Sequence, residues 1–231
     1  GSGKTICLFW VVILFALFLM PCTGQAGLVA HWAFDETPGA TQVVDTAGGL
    51  VGNLSATGAA LVSGGGVGGA LSLDQGAGGY VTMGDVLSLG TGPYSLVMWV
   101  KTAATGGSFV MAKHQSGVTA GYVIGINEEN TYGSPDKAWL YNWYNGSEPI
   151  STTSVNDDQW HQIVGVRGDG VVKIFVDGLP VESSQTDQGL NDPPPGTPLI
   201  FGGYSAGGVP VPYYTGMIDD VQVYDHALAD S

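Results

Sequence analysis

The sequence predicts an all-β fold, a two-sheet antiparallel β-sandwich, on three observations. After residue 27 no segment keeps a helical period, and short runs rich in Val, Ile, Tyr, Phe and Trp recur between Gly, Asn, Asp and Pro. Glycine occurs 38 times and proline 12 times without a short repeat, which is typical of many strands joined by tight turns. The length of 231 residues suits one large sandwich, and no linker divides the chain.

Residues 1–26 are predicted to form a signal-peptide helix ahead of the sandwich. Lys4 precedes an apolar run over residues 6–20, which is shorter than the about 20 residues that a bilayer span needs. Pro21 ends this run, and small residues favour cleavage after Ala26. We therefore expect a secreted, extracellular or cell-surface protein without stable membrane insertion after cleavage. An uncleaved membrane anchor is the alternative.

The strands are predicted from short, mostly alternating apolar runs. They cover residues 28–34, 70–73, 79–83, 94–101, 108–113, 122–127, 138–144, 159–167, 171–176, 179–183, 199–202 and 216–224. Residues 145–146 (NG) and 177–178 (DG) are predicted to be two-residue hairpin turns. Residues 168–170 (GDG) are predicted to be a turn, and 192–196 (DPPPG) a loop. No strand is assigned to the Gly-, Ala- and Val-rich residues 39–69.

Charge and cysteine content limit the partners and the source of stability. Six Lys and Arg residues against twenty Asp and Glu residues give a net charge of −14. Such a surface repels phosphate backbones, so nucleic acid is not an expected partner, whereas hard cations such as Ca²⁺ are favoured. The only cysteines, Cys7 and Cys22, precede the domain, so its stability must come from core burial without disulfides.

Several motifs occur in a fixed order along the chain. They are GLVAHWAFDE (27–36), DTAGGLVGNL (45–54), GGALSL (68–73) with YVTM (80–83), YSLVMWVK (94–101), DDQWH (157–161), VKIFVDG (172–178) and GMIDDVQVY (216–224). This ordered set resembles the laminin-G-like domains of the concanavalin-A-like lectin/glucanase superfamily over nearly all of residues 27–231. The resemblance implies a jelly-roll sandwich, often with a Ca²⁺ site at its rim, and members that bind sugars or proteins. One departure is that Gly78 and Gly79 stand where members often have aspartates.

Catalytic residues are not expected. Glycosidases of this superfamily carry an E-x-D-x-x-E strand, because a retaining acid and nucleophile must lie about 5–5.5 Å apart. Glutamate occurs here only at positions 36, 128, 129, 148 and 182, never with that spacing. Glu128 and Glu129 are adjacent on a strand and therefore point to opposite faces. The sequence thus favours a protein that is not an enzyme.

A calcium site is predicted where the first and last strands meet. The candidate ligands are Asp35, Asp45, Asn53, Asp219 and Asp220, since Ca²⁺ takes oxygen ligands from carboxylates and amides. Asp219 and Asp220 face opposite sides of their strand, so one of them points inward and needs a cation or a backbone turn. The alternative is that these acids only cap turns.

Aromatic residues are the predicted ligand-binding groups. Trp139, Tyr141 and Trp143 alternate along one strand face, and Tyr132 lies nearby in sequence. Tyr213 and Tyr214 follow Pro210 and Pro212 in a late loop and are expected to be exposed. The alternative for the strand residues is that their face belongs to the sandwich core.

These features predict a secreted, non-catalytic recognition module that binds carbohydrate or an extracellular matrix component through rim loops, with Ca²⁺ as an expected cofactor. Its expected partner is a glycan or an extracellular protein. Two alternatives stay open: a structural or adhesive spacer of a larger surface protein, and an accessory domain of a polysaccharide-degrading enzyme. We expect the chain to be one module of a longer protein.

Overall fold

A computed structural model describes residues 27–128, 134–140, 148–178, 182–187, 189 and 191–230. The predicted signal peptide and the turn at 145–146 lie outside these residues. Numbered in chain order, the strands are β1 Leu28–Trp32, β2 Gln42–Val44, β3 Val51–Leu54, β4 Ala59–Ser63, β5 Gly69–Leu73, β6 Val81–Thr82, β7 Tyr94–Lys101, β8 Ser108–Lys113, β9 Tyr122–Glu128, β10 Ser134–Leu140, β11 Ile150–Ser154, β12 His161–Gly168, β13 Val171–Val176, β14 Ser183–Thr186, β15 Ile200–Phe201, β16 Gly203–Ala206, β17 Val209–Pro212 and β18 Gly216–Tyr224.

Two eight-stranded antiparallel sheets form the sandwich, as predicted. The first sheet runs β14-β13-β12-β7-β18-β5-β4, and β1 also pairs with β18. The second sheet runs β11-β10-β9-β8-β15-β6-β3-β2. The first and last strands therefore lie side by side, with Trp32 opposite Val221. Within the described residues the helical structure is one 3-10 turn at Gln75–Ala77.

The main core fills the space between the two sheets. Its burial stabilises a domain whose residues 27–231 include no cysteine. Leu96 and Met98 point into it from the first sheet, and Ile124 and Leu140 from the second, all fully buried. Trp32 packs edge-on against Phe201 across the two sheets, with ring centroids 5.1 Å apart. Each large apolar side chain buried in this way contributes about 1.5–3 kcal/mol to folding.

Two predictions about strands and turns need correction. Residues 39–69, which received no predicted strand, contain β2, β3 and β4. The two-residue hairpin lies at Asp169 and Gly170, which both have positive φ and join β12 to β13, with Gly168 opposite Val171. Residues 177–178 also turn with positive φ, but the returning strand starts only at Ser183 rather than at 179.

A short hairpin of β16 and β17 stands outside both sheets. Gly207 and Gly208 form its turn with φ of 60° and 88°, a conformation that two-residue hairpins favour. Backbone hydrogen bonds join Ser205 to the segment after β8: its N–H donates to the His114 carbonyl and its carbonyl accepts from Ser116. The hairpin is thereby held beside the second sheet. No helix of the described residues is long and apolar enough to cross a membrane.

Candidate functional site

The outer face of the second sheet carries a row of four residues across four strands. In the register of these strands Phe109 on β8 lies opposite Gly125 on β9, Gly125 opposite Trp139 on β10, and Trp139 opposite Ile150 on β11. Successive residues of β10 alternate in direction, and its Ala138 belongs to the main core. Trp139 therefore packs on the opposite face, in a separate small cluster with Ala112 and Val123.

Two tyrosines beside the hairpin complete an aromatic group around Phe109. The ring centroid of Phe109 lies 5.4 Å from Trp139, 5.5 Å from Tyr204 and 5.2 Å from Tyr213. Tyr204 and Tyr213 also contact each other at 5.6 Å. Tyr204 is on β16, and the Tyr213 carbonyl accepts a hydrogen bond from the Phe109 N–H at 2.9 Å. We call Phe109, Trp139, Tyr204 and Tyr213 the outer-face aromatic cluster.

The cluster combines partly accessible rings with spare hydrogen-bonding groups. Phe109, Tyr204 and Tyr213 are half-buried, whereas Trp139 is only 2% exposed. The Trp139 Nε1 donor is buried and makes no hydrogen bond to the part of the chain that the structure describes. The Tyr204 hydroxyl makes no hydrogen bond to any described residue. Apolar ring surface with a few polar groups is the composition expected of a small-ligand site.

The structure sorts the predicted ligand-binding aromatics into three groups. Trp139 and Tyr213 come together in the cluster, although Trp139 lies beneath its surface and on the outer sheet face rather than in the main core. The expected exposure of Tyr214 is wrong: it is fully buried in the main core, where its hydroxyl donates to the Met217 carbonyl at 3.0 Å. Tyr132, Tyr141 and Trp143 lie outside the described residues.

Sequence reasoning missed the residue at the centre of the cluster. Phe109 lies in β8, whose first and last residues were predicted correctly. The sheet face on which the Phe109 ring lies depends on the pairing of β8 with β9. The signal that Phe109 offered was one large aromatic in the alternating run SFVMAK. The local signal for the hairpin that carries Tyr204 was Gly207-Gly208, a pair that two-residue hairpin turns favour.

Asp45, a predicted calcium ligand, instead organises the turn after β2. Its buried carboxylate accepts hydrogen bonds from four backbone N–H groups: those of His31 at 2.7 Å, Ala47 at 2.8 Å, Gly48 at 2.9 Å and Leu50 at 3.4 Å. These donors supply the positive partners that a cation would otherwise provide. The arrangement is that of a turn cap.

Asp219 is the inward-pointing carboxylate of the pair, and its hydrogen-bond partners are backbone N–H groups. Asp219 is fully buried and accepts from the N–H groups of Val67 and Asp220, each at 2.7 Å. Burial raises the pKa of Asp219 to about 6, against the opposing effect of these hydrogen bonds. Asp220 turns outward at a β-bulge with a φ of 46°.

The remaining predicted calcium ligands also have other partners. Asp35 accepts from the Gly69 N–H at 2.7 Å, and Asn53 accepts from the Gln42 side chain at 2.9 Å. In the described part of the chain no three His, Cys, Asp or Glu side chains come together as a metal-holding group. The structure therefore does not assemble the predicted set, and calcium binding stays a prediction.

His31 links Thr46 to Asp220 in a polar chain that has the order of a nucleophile, a base and an acid. Thr46 Oγ1 lies 3.1 Å from His31 Nδ1, and His31 Nε2 lies 2.6 Å from Asp220 Oδ1. Acyl transfer also needs free N–H donors for the developing oxyanion. The N–H groups of residues 46–49 all donate within the chain, to the His31 carbonyl or to Asp45. The contact between His31 and Asp220 ties β1 to β18.

Comparison with known proteins gives a family and a set of similar folds. The family model described as the concanavalin A-like lectin/glucanases superfamily matches residues 75–231. Among solved structures, domain 4 of AbnA, an extracellular arabinanase from Geobacillus stearothermophilus, in complex with arabinotriose, has a TM-score of 0.64 and 19% identity. That similarity covers 89% of this chain and 95% of the domain.

Two toxin domains are similar over the same share of the chain. The binding domain of Paraclostridial Mosquitocidal Protein 1 has a TM-score of 0.64 and 11% identity over 88% of this chain and 50% of that one. The receptor binding domain of botulinum neurotoxin C/D mosaic serotype has a TM-score of 0.59 and 12% identity over 88% and 49%. None of the curated proteins compared with the chain is a significant match. At these identities the structural similarities show the fold.

Proposed function

This chain belongs to the concanavalin A-like lectin/glucanase superfamily, and from that premise we propose that it is a non-catalytic recognition module that binds a glycan. The binding site is the outer-face aromatic cluster on the second sheet. The observation that carries the proposal is the meeting of half-buried Phe109, Tyr204 and Tyr213 around one point of that face.

The chemistry of the cluster suits a sugar. Aromatic rings bury large apolar areas, and tyrosine and tryptophan add a polar group to that surface. The C–H faces of a sugar ring can pack on Phe109 or on the tyrosines, while the Tyr204 hydroxyl exchanges hydrogen bonds with sugar hydroxyls. Domain 4 of the arabinanase, whose structure holds arabinotriose, lends support from the same fold.

Two of the five glutamates, Glu36 and Glu182, have structural hydrogen-bond partners. Glu182 accepts from the backbone and hydroxyl groups of Thr152 and Thr153, which lowers its pKa although burial acts in the opposite direction. Glu36 accepts from the Val44 N–H at 2.7 Å. The acid of a glycosidase instead has a raised pKa, so Glu182 does not fit that role. The two glutamates hold neighbouring loops and strands together.

An accessory domain of a polysaccharide-degrading enzyme is the second candidate role. The observation in its favour is that the arabinanase domain, itself part of an extracellular enzyme, is matched over 95% of its length. An extracellular location follows from the predicted signal peptide. The two toxin domains, one named for binding and the other for receptor binding, support a binding role for a domain of this fold.

The proposal is tested by affinity gel electrophoresis of the protein in soluble polysaccharides, starting with arabinan. We expect retardation by at least one polysaccharide, and loss of retardation in the double variant Tyr204→Ala and Tyr213→Ala. Tyr80→Ala is the matched control, because Tyr80 is half-buried and lies beside Ser55, without a ring contact to the cluster. Tyr204→Phe keeps the ring and should keep part of the binding. A folded double variant that binds like the parent would refute this site.

A further inference from the structure

We infer that the glycan bound by the outer-face aromatic cluster is uncharged and is met as a single soluble chain rather than as a flat polysaccharide surface. The inference rests on the proposed function and narrows its ligand class. Two independent observations carry it: the pairing of the positive side chains, and the angles between the aromatic rings.

The chain offers almost no positive charge to an acidic sugar. It has six Lys and Arg residues, of which Lys4 lies in residues 1–26. Each of the other five lies within ion-pair distance of an aspartate. The pairs are Lys101–Asp158 at 3.8 Å, Lys113–Asp85 at 2.7 Å, Lys137–Asp136 at 3.6 Å, Arg167–Asp187 at 2.8 Å and Lys173–Asp230 at 2.7 Å. A carboxylate or sulfate of a glycan would have to compete with an aspartate for each of these five side chains.

Histidine does not supply the missing charge at the cluster. His114 is the histidine that contacts Phe109, at 6.4 Å between ring centroids. Burial lowers the pKa of His114, against the opposing effect of its hydrogen bond with the Ala120 carbonyl, so the ring is neutral at neutral pH. His31 and His161 each lie against carboxylates. A net charge of −14 then repels an anionic polymer as it approaches.

The ring angles argue against a flat ligand. Phe109 is inclined by 61° to Tyr204 and by 76° to Tyr213, and the two tyrosines are inclined by 86° to each other. Three mutually inclined rings cannot lie in one plane, so they cannot together cover the face of a crystalline polysaccharide. They can instead contact different sides of one chain or chain end. The folded-back hairpin, which carries Tyr204, creates this arrangement.

The experiment compares three ligand classes with the protein, the Tyr204→Ala and Tyr213→Ala double variant and Tyr80→Ala. Soluble neutral polysaccharides are arabinan, galactan and xylan; acidic ones are polygalacturonate and heparin; insoluble ones are cellulose and chitin, tested by pull-down. We expect binding to a neutral soluble polysaccharide, unchanged by salt and weakened about ten-fold or more in the double variant. Tyr80→Ala should bind like the parent.

The outcomes separate this inference from the proposed function. Binding to an acidic or an insoluble polysaccharide that is lost in the double variant would overturn the ligand class and leave the glycan site standing. Binding that falls with salt and ignores the double variant would overturn both, because it would be an electrostatic attraction elsewhere on the surface. No binding in any arm, with the protein folded, would overturn the proposed function itself.

Discussion

The indole ring of Trp139 lies directly over Gly125 on the neighbouring strand, in the space that a Cβ atom at position 125 would need. Such a Cβ atom would stand 2.2 Å from Cζ2 and 2.3 Å from Cε2 of the indole. Glycine weakens a strand interior, and here it leaves room for a close approach of the ring. With Gly125 in place, Trp139 can lie against the sheet and support Phe109.

Gly125→Ala should therefore displace Trp139 and disturb the outer-face aromatic cluster, although no tyrosine is substituted. We expect a loss of about 1–3 kcal/mol in the free energy of unfolding, the usual cost of overpacking, and weaker glycan binding. Urea denaturation followed by tryptophan fluorescence measures the first effect, and affinity electrophoresis the second. The matched control is Gly106→Ala, where an added Cβ atom meets nothing within 4 Å. Equal stability of the two variants would contradict the described packing.

His161 should make the stability of the fold depend on pH. Its ring lies between Asp177, 2.8 Å from Nδ1, and Asp157, 3.0 Å from Nε2. Burial lowers the pKa of His161, but the hydrogen bonds and charges of the two aspartates outweigh burial and raise this pKa above its ordinary value of about 6.5. Because the folded state favours the protonated ring, this stabilisation is complete below about pH 6.5 and is lost as the pH rises through the raised pKa.

Melting temperatures of the parent and of His161→Gln, measured from about pH 6 to about pH 9, test this dependence. The difference between the two should be largest at the acidic end and should shrink as the pH rises. His226→Gln is the control, because this more exposed histidine has one carboxylate at 3.5 Å. A difference that stays constant across the range would show that protonation of His161 does not stabilise the fold.

Removing the aspartate that pairs with buried Lys113 should destabilise the fold more than removing the lysine charge itself. Its side chain is fully buried, and Nζ donates to Asp85 at 2.7 Å and to the Thr197 carbonyl at 2.9 Å. Asp85→Asn leaves a buried ammonium without its counter-charge, and we expect a clear loss of stability in chemical denaturation. Lys113→Met removes the charge and should cost less. The reverse order would contradict this view of the pair.

Calcium should leave the stability unchanged if the predicted ligands act as turn caps. Asp45 and Asp219 already accept backbone hydrogen bonds, and Asp220 faces His31. We therefore expect the same melting temperature in calcium chloride and in chelator. A ligand that binds only the native state raises the melting temperature. A higher melting temperature in calcium chloride than in chelator would therefore identify a cation site and support the calcium prediction from the sequence.

The strand predictions from the sequence were accurate where the side chains on one or both faces of a strand are strongly buried. The bounds of β7, β8, β13 and β18 match the predicted residues, because long runs rich in Val, Ile and aromatics specify a strand locally. The short strands β2, β3, β4 and the Val209–Pro212 strand were missed, since their residues favour turns or are neutral. Their pairing depends on neighbours that are distant in sequence.

The site was harder to predict than the fold for a related reason. Period-two alternation put Trp139 on one strand face, but which face lies outside the core depends on the partner strands. The approach of Tyr204 and Tyr213 to Phe109 needs the β16–β17 hairpin, which folds back over the sheet. The aspartates were difficult to predict for a different reason. An aspartate that caps a turn, such as Asp45, and an aspartate that binds calcium have the same sequence pattern.

The most direct test of the central claim is an amide chemical-shift map of the isotope-labelled protein titrated with a neutral oligosaccharide, starting with arabinotriose. If the outer-face aromatic cluster is the glycan site, the largest shifts should fall on Phe109, Gly125, Trp139 and Tyr204. Shifts concentrated instead at Asp35, Asp45 and Asp220, on the rim where β1 meets β18, would contradict this account. They would place the glycan site in the rim loops.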